Sequence, residues 1–322
     1  MTSGNPTCTL VVNPTAGRGR AGRILPQVVT ELLRGLPEGT LEVRRADSYE
    51  EARDYCHEAV ERAPAGDGAA HQALVVMGGD GMMHLGLNAA AQSGLPLGLI
   101  PAGTGNDFCR GAGLPLDPLK AARIVVEGVT RQLDLASVTG QMAHGGSHSW
   151  VGSVVSTGYD AFVSRRGNAM PKAWGSLAYA VAALAELRRF KPLPYRLVID
   201  GQPRSQTAMF VSVANATYFG GGMNIAPDGS PSDGLLDVTV IHPVSRLTLL
   251  RLLPSMFTGA FVKDPAVERL KAKEVMIDGD GLYGMADGEV LGPVPLHVRV
   301  VPAALTVYAP PSRPLTRRRK AQ

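Results

Sequence analysis

The chain predicts an α/β plus β fold: a doubly wound parallel sheet in the N-terminal part, then an antiparallel β-sandwich. Three observations predict it. From Thr9 to Glu127 short apolar runs alternate with segments at helical spacing, the pattern of right-handed βαβ crossovers around a parallel sheet covered on both faces. From about Asp134 the texture changes to short β-prone runs separated by turns. At 322 residues the chain is long enough for two separate cores.

In order, Thr9–Asn13 (TLVVN) reads as the first strand, followed by the loop from Pro14 to Gly22 and a helix over about Ala21–Arg34. Leu41–Arg45 is a second strand. Ser48–Arg62 is a helix that Ser48 would cap, with Glu51 three residues on. The next stretch, Ala73–Leu114, holds two strand–glycine loop–helix units in tandem. The buried run Leu74–Met77 is broken by Gly78, Gly79, Asp80 and Gly81, after which Met82–Gln92 continues at helical spacing. Leu97–Ile100 then runs into Pro101-Ala-Gly-Thr-Gly-Asn-Asp107, with a helix start at Asn106 or Asp107. A helix over Asp117–Glu127 leads to the run Arg131–Val138.

The second half offers strands at Trp150–Ser156, Tyr195–Asp200, Ala208–Ala214, Leu235–Ile241, Val275–Asp278 and Leu296–Val300, with a hairpin at Asp200-Gly201. Two helical patches interrupt them, Trp174–Phe190 and Ser245–Phe257. Ala304–Tyr308 is a last strand returning to the first unit. The expected domains are 1–133 plus about 304–322, and 134–303.

Composition narrows the function classes. Hydrophobic residues make up 45% and charged residues 19%, ordinary for a globular enzyme. Aromatics are 5%, too few for a base-stacking surface, and the net charge of +4 comes partly from Arg313–Lys320; nucleic acid is not expected as a partner. Cys8, Cys56 and Cys109 are odd in number and match no metal-motif spacing, which suits a reducing cytoplasm. The start MTSGNPTCTLVV lacks a signal peptide's basic and apolar regions, and no apolar run approaches the ~20 residues of a membrane span. The expected location is cytoplasmic, with peripheral contact at an inner membrane face through the RRRK tail or through the apolar segments Trp174–Phe190 and Met256–Val262. Burial of those two segments against the sheet is the expected arrangement.

The glycine loops carry the chemistry. Such loops present backbone N–H groups at helix N-termini, a setting for phosphate. One loop alone reads as a tight βα turn; two in adjacent units, each with an embedded carboxylate, favour phosphate chemistry. Gly17-x-Gly19-x-x-Gly22 matches a dinucleotide fingerprint formally, but Pro14-Thr-Ala separates it from the strand. Asn13 and Gly17 can still contact nucleotide phosphates. No GxxxxGK[ST] occurs and no lysine sits in the glycine loops, so charge on a transferring phosphoryl group must be met by Mg2+ and backbone donors. Asp80 and Asp107 sit where they can hold that metal; a turn or capping role is the competing reading for Asp107.

These residues resemble a known family. Val76-Met-Gly-Gly-Asp-Gly81 with Ile100-Pro-Ala-Gly-Thr-Gly-Asn-Asp-Phe108 is similar to the catalytic domain of diacylglycerol, sphingosine and ceramide kinases and bacterial soluble lipid kinases. Val11-Val-Asn-Pro14 with Gly17, Gly158-Tyr-Asp-Ala161 and Ala286-Asp-Gly-Glu289 match as well, so the resemblance spans nearly the whole chain. It implies an NAD kinase/diacylglycerol kinase-like fold and an ATP- and Mg2+-dependent lipid kinase. ATP would be held by Gly78, Gly79, Asp80, Gly81, Gly103, Thr104, Gly105 and Asn106. Asp287 would be the catalytic base with Glu289 beside it, Asp134 would belong to the polar network near the metal, and Asp233 to a structural Mg2+ site. The implied reaction is γ-phosphoryl transfer to the hydroxyl of a diacylglycerol-like lipid at a membrane surface, and a homodimer is the assembly considered.

The chain departs from the family where it commonly has Thr and an Asn-Glu pair; here stand Met82, His84 and Leu85. His84 reads as a helix-surface or supporting residue. The alternatives are a sphingoid-base, ceramide or NAD kinase, a Rossmann-type dehydrogenase using the Gly17–Gly22 loop, and a non-catalytic nucleotide-binding regulator.

Overall fold

The structure is a computed structural model that describes residues 8–63, 72–159 and 191–311. Four strands, β1 (Cys8–Val12), β2 (Leu41–Arg45), β3 (Ala73–Gly78) and β4 (Leu97–Pro101), pair in parallel in the order β2-β1-β3-β4. Strands β1, β3 and β4 are buried along their whole length, as expected of a sheet covered on both faces. Helices α1 (Ala16–Leu33) and α5 (Pro118–Glu127) share one core with β1 and β3 through Leu25, Val28, Leu32, Ala121 and Ile124. Helices α2 (Tyr49–Glu61) and α3 (Asp80–Ala90) share the other through Ala52, Cys56, Met83 and Leu87. Adjacent strands β1 and β3 therefore feed helices on opposite faces. That makes a topological switch point, where ligands of open α/β sheets bind beyond the strands' carboxyl ends.

Local chemistry explains the helix starts. The Ser48 hydroxyl accepts the Glu51 N–H at 3.0 Å, and Asp117 Oδ1 accepts from Leu119 and Lys120 at the start of α5. Regular helix in α1 begins only at Arg20, because Gly17, Arg18 and Gly19 are all left-handed.

The second half consists of β5 (Thr130–Thr139), β6 (His148–Val151), β7 (Val154–Gly158), β8 (Leu193–Ile199), β9 (Gln202–Ala208), β10 (Phe210–Ala214), β11 (Tyr218–Phe219), β12 (Met223–Asn224) and β13 (Leu236–Ile241). Helix α6 (Arg246–Met256) and strands β14 (Val267–Ala272), β15 (Glu274–Asp278), β16 (Tyr283–Ala286), β17 (Glu289–Pro293) and β18 (Leu296–Tyr308) complete it. A second sheet, β14-β13-β10-β7-β16-β17, is wholly antiparallel. It packs on β5, β8, β15 and β18 of the first sheet, and the filling is one apolar layer with period-2 patterning: Val211 and Val213, Leu236, Val238 and Val240, Val275 and Ile277, Leu296 and Val298. The chain is thus a doubly wound α/β unit joined to an antiparallel β-sandwich. The join is β18, which is antiparallel to β15 and β5 and sets Val307 beside Leu97 of parallel β4.

Some elements differ from the sequence expectation. The predicted strand Trp150–Ser156 is two strands in different sheets, broken at Gly152-Ser153. Leu296–Val300 and Ala304–Tyr308 are one strand with a register shift between Val301 and Leu305. The polar edge strand β9 (QPRSQTA), β14, and the β16–β17 pair gave no signal in hydrophobic periodicity. The helix after Asn106, α4 (Asp107–Gly111), is a single short turn. The expected helix Trp174–Phe190, Asp160-Ala161 and the RRRK tail lie outside the described residues.

Candidate active site

Three loops meet at the switch point, and missing side chains let them meet. A Cβ on Gly17 would stand 2.1 Å from the Ala102 carbonyl oxygen, and one on Gly103 would stand 2.4 Å from the Gly79 Cα. A Cβ on Gly105 would strike Asp80 Oδ2 at 2.5 Å. The loops are braced from within. Asn13 Oδ1 accepts the Thr15 N–H and hydroxyl, while Asn106 both accepts from the Gly103 N–H and donates to its carbonyl. Around them opens a cleft of about 500 Å³ lined by Asn13, Gly17, Gly79, Asp80, Gly81, Gly103, Thr104 and Glu289, among others. The N-terminus of α3 opens onto this cleft with no side chain capping it, which leaves its dipole and first N–H groups for an anion. Of the nucleotide residues expected from sequence, Gly78, Gly105 and Asn106 act as loop framework, and the others face the cleft.

Asp80 takes the backbone N–H groups of Asn106 (3.0 Å, Oδ2) and Asp107 (2.7 Å, Oδ1), so it fastens the second glycine loop to the first. Burial raises its carboxyl above the usual range, those two N–H bonds oppose the rise, and the Asp287 charge adds to it. Asp107 is buried and pushed up to about 6, first by desolvation and then by the Asp80 charge. Its Oδ2 accepts the Gly221 N–H at 2.7 Å, but its Oδ1 is buried without a hydrogen-bond partner. An orphaned carboxylate oxygen beside a second carboxylate is a position that a cation would satisfy.

Asp287 lies across a cavity of about 110 Å³ from these two, lined also by Ser153, Val154, Phe219 and Gly221. It occupies the tip of the two-residue hairpin between β16 and β17. Ala286 pairs with Glu289, and Asp287 and Gly288 have φ of 50° and 86°, the positive values that a type I′ turn demands. Asp-Gly is therefore the turn sequence that this hairpin needs, and it also sets a carboxylate facing the glycine loops. Oδ1 accepts the Ser153 N–H at 3.1 Å and Oδ2 the Gly152 N–H at 3.2 Å. Both amides belong to the break between β6 and β7. A third partner, His84 Nδ1, lies 3.3 Å from Oδ2.

Of the two readings of His84, helix surface or supporting residue, the structure takes the second: it is buried against Asp287. A signal was available: Asp80, His84 and Asn88 fall at i, i+4 and i+8 on a helix otherwise lined by Met82, Met83, Leu85, Leu87 and Ala89. That is a polar stripe on an apolar helix. Glu289 stands at the edge of the nucleotide cleft, its Oε1 3.4 Å from where a Cβ on Gly81 would lie, and burial raises its carboxyl.

Asp134 and Asp233, which the resemblance assigned to the polar network near the metal and to a separate structural Mg2+ site, have other partners in the structure. Asp134 does not line either cavity; its oxygens accept the N–H groups of Ala303 (2.9 Å) and Gly234 (2.8 Å), which tie β5 to β18 and to the loop before β13. Asp233 pairs with Lys271 at 2.8 Å, and the same ammonium reaches Asp237 at 3.4 Å. Among the described residues, no three His, Cys, Asp or Glu side chains converge as a protein-only metal cage. Mg2+ usually takes one or two carboxylates and completes its shell with phosphate and water. Asp107, with Asp80 next to it, is the pair present for that role.

The fold and this site define a class: a doubly wound α/β unit with glycine loops, joined to a β-sandwich that sets a carboxylate across a small cavity from the two loop aspartates. Comparison with known proteins agrees. The diacylglycerol kinase catalytic domain family matches residues 7–138, and the YegS C-terminal NAD kinase beta sandwich-like domain matches residues 153–309. The chain is 38% identical over 304 residues to a diacylglycerol kinase of Mycobacterium tuberculosis, covering 94% of both proteins. It is 30% identical over 289 residues to a protein of Xanthomonas oryzae pv. oryzae named "Probable lipid kinase YegS-like", covering 85% of this chain and 88% of that one. A solved diacylglycerol kinase structure from Bacillus anthracis str. Sterne shares the fold with a TM-score of 0.69 at 22% identity, over 95% of this chain and 97% of that one. The chain belongs to the diacylglycerol kinase family and is a lipid kinase. The dehydrogenase reading fails on the same ground.

Proposed function

We propose that the protein transfers the γ-phosphoryl group of ATP to the free hydroxyl of a diacylglycerol, giving phosphatidic acid. The observation that carries this is Asp287, a buried carboxylate oriented by two backbone amides and facing Asp80 and Asp107 across one small cavity. The acceptor O–H breaks as its proton passes to Asp287. The acceptor oxygen bonds the γ-phosphorus, and the bond from that phosphorus to the bridging oxygen of ADP breaks. Glycine-loop amides and the α3 N-terminus receive the phosphates. When bound, Mg2+ would neutralise phosphate charge, with Asp107 and Asp80 as its protein contacts. Val154, Phe219 and Met285 give the acceptor side of the cavity its apolar character.

A lipid substrate also requires a surface that meets the bilayer, and α6 offers one. Leu247, Leu250 and Phe257 are 80%, 40% and 53% exposed and, with Pro254, follow one helical stripe, while Met256 and Phe261 are buried beneath. Exposed Arg246, Arg251 and Lys263 flank the stripe, a combination that suits an anionic leaflet. The test of the proposed reaction is incubation with radiolabelled ATP, Mg2+ and micelles containing diacylglycerol, ceramide, sphingosine or no lipid, with NAD as a separate acceptor. Label in phosphatidic acid alone is expected. Label in another product keeps the mechanism and changes the substrate; no Mg2+-dependent product refutes the proposal.

A further inference from the structure

His84 and Asn88 form a chain that ends on Asp287, and its hydrogen bonds determine where the imidazole proton sits. Asn88 is clamped to the main chain of Trp150: its Oδ1 accepts the Trp150 N–H at 2.8 Å and its Nδ2 donates to the Trp150 carbonyl at 2.9 Å. A flipped amide would set donor against donor and acceptor against acceptor, so the amide orientation is fixed. Nδ2 also donates to the His84 carbonyl at 2.9 Å and faces His84 Nε2 at 3.3 Å. Both Nδ2 hydrogens go to the two carbonyls, so a proton on Nε2 would find no acceptor there. A bare Nδ1 would set lone pair against lone pair at the Asp287 carboxylate. The proton is therefore assigned to Nδ1, 3.3 Å from Asp287 Oδ2. The same contacts exclude His84 as the base, because one ring nitrogen is turned to Asn88 and the other to Asp287.

Among the described residues, Oδ2 of Asp287 therefore receives two donors, Gly152 N–H and His84 Nδ1–H, and Oδ1 one, Ser153 N–H. A carboxylate oxygen has two in-plane lone pairs. Oδ2 is saturated and Oδ1 has one lone pair to spare. We infer that His84, locked by Asn88, is a positioning residue that fixes the Asp287 carboxylate and assigns proton acceptance from the lipid hydroxyl to Oδ1. Support of this kind, one layer behind the reacting group, holds the base in productive geometry and leaves substrate contacts untouched. The inference rests on the reading of Asp287 as the base.

The experiment compares His84→Ala, His84→Asn and Asp287→Asn in steady-state lipid phosphorylation. Histidine-labelled whole protein is also studied by long-range proton–nitrogen NMR. His84→Ala should lower kcat by roughly ten- to a hundredfold with KM for ATP and for diacylglycerol unchanged. His84→Asn, whose amide nitrogen can take the place of Nδ1, should recover most of that loss. The spectrum should show His84 with a protonated Nδ1 and a bare Nε2, a measurement that needs no variant to fold. Wild-type kcat in His84→Ala, a loss expressed equally in KM, or a protonated Nε2 would overturn the inference. Activity surviving in Asp287→Asn would instead overturn the assignment of the base, so the two failures are distinguishable.

Discussion

The two sides of the site are built in opposite ways. On the nucleotide side, backbone meets backbone: Gly17 against Ala102 and Gly103 against Gly79, with Asp80 spent on tying one loop to the next. On the acceptor side a single side chain at a hairpin tip carries the chemistry, and it is held from behind by Gly152, Ser153 and His84. A surface made of main chain recognises phosphate wherever the loop is correctly folded, and it fails when a Cβ intrudes. A site made of one carboxylate keeps nucleotide affinity when it is damaged, but it loses turnover when its own proton chemistry or its positioning is altered. Damage on the first side should therefore appear in nucleotide affinity and stability, and damage on the second in turnover.

The largest separation should come from the loop glycines. Gly103→Ala forces a methyl group into the Gly79 backbone, an overpacking that should cost about 1–3 kcal/mol. It should also abolish measurable ATP binding by calorimetry, whereas His84→Ala should bind ATP as the wild type does. Equal ATP affinity in Gly103→Ala would break the contrast.

A second prediction concerns Asp107. Its carboxyl is pushed up to about 6 in the folded protein from an ordinary 3.8, so the folded state holds the proton more tightly than the unfolded state. The contribution of this one group to stability is then fully present below about pH 4 and is lost as pH rises through about 6, by at most about 3 kcal/mol. Asp107→Asn, which keeps an oxygen for the Gly221 N–H, should melt higher than the wild type at pH 7.5 without nucleotide, and the difference should vanish near pH 4. Mg2+ with ATP should narrow the gap at pH 7.5 by stabilising the wild type only. A variant that melts lower at both pH values would contradict this.

The smallest effect is expected furthest from the site. Leu247→Glu with Leu250→Glu should weaken sedimentation with anionic vesicles about tenfold, given the ~1.5–3 kcal/mol of transfer free energy in each fully buried leucine side chain. Turnover of a short-chain soluble diacylglycerol should stay unchanged. Loss of both activities would place α6 in the fold's stability and not at the bilayer.

The same contrast governs what could be read in the sequence. Strands β1, β3 and β4 and the loops after them were legible because buried apolar runs and clustered glycines are local signals. Ser48 announced its helix in the same way. The Asp287-Gly288 turn was visible, but its function was legible only through a family resemblance, since a type I′ hairpin accounts for both residues. The partners of Asp287 could not be read: Gly152 and Ser153 lie 134 or more residues away, and their role resides in amides, which every residue has. The strand break there looked like continuous β-prone sequence. Phe257 was expected to be buried with its neighbours, and only the structure separates it from Met256 and Phe261.

The most direct test of the account is Asp287→Asn, assayed for ATP affinity and for single-turnover phosphorylation of diacylglycerol on the same preparation. The amide keeps an acceptor oxygen for a backbone N–H and the shape of the turn, but it cannot take a proton. Unchanged ATP affinity is expected, with a melting temperature lowered by the one backbone N–H that the amide NH2 group opposes and a rate reduced by roughly 10²–10⁴-fold. A rate within a few-fold of wild type, with ATP bound normally, would contradict the account and remove Asp287 from the chemistry.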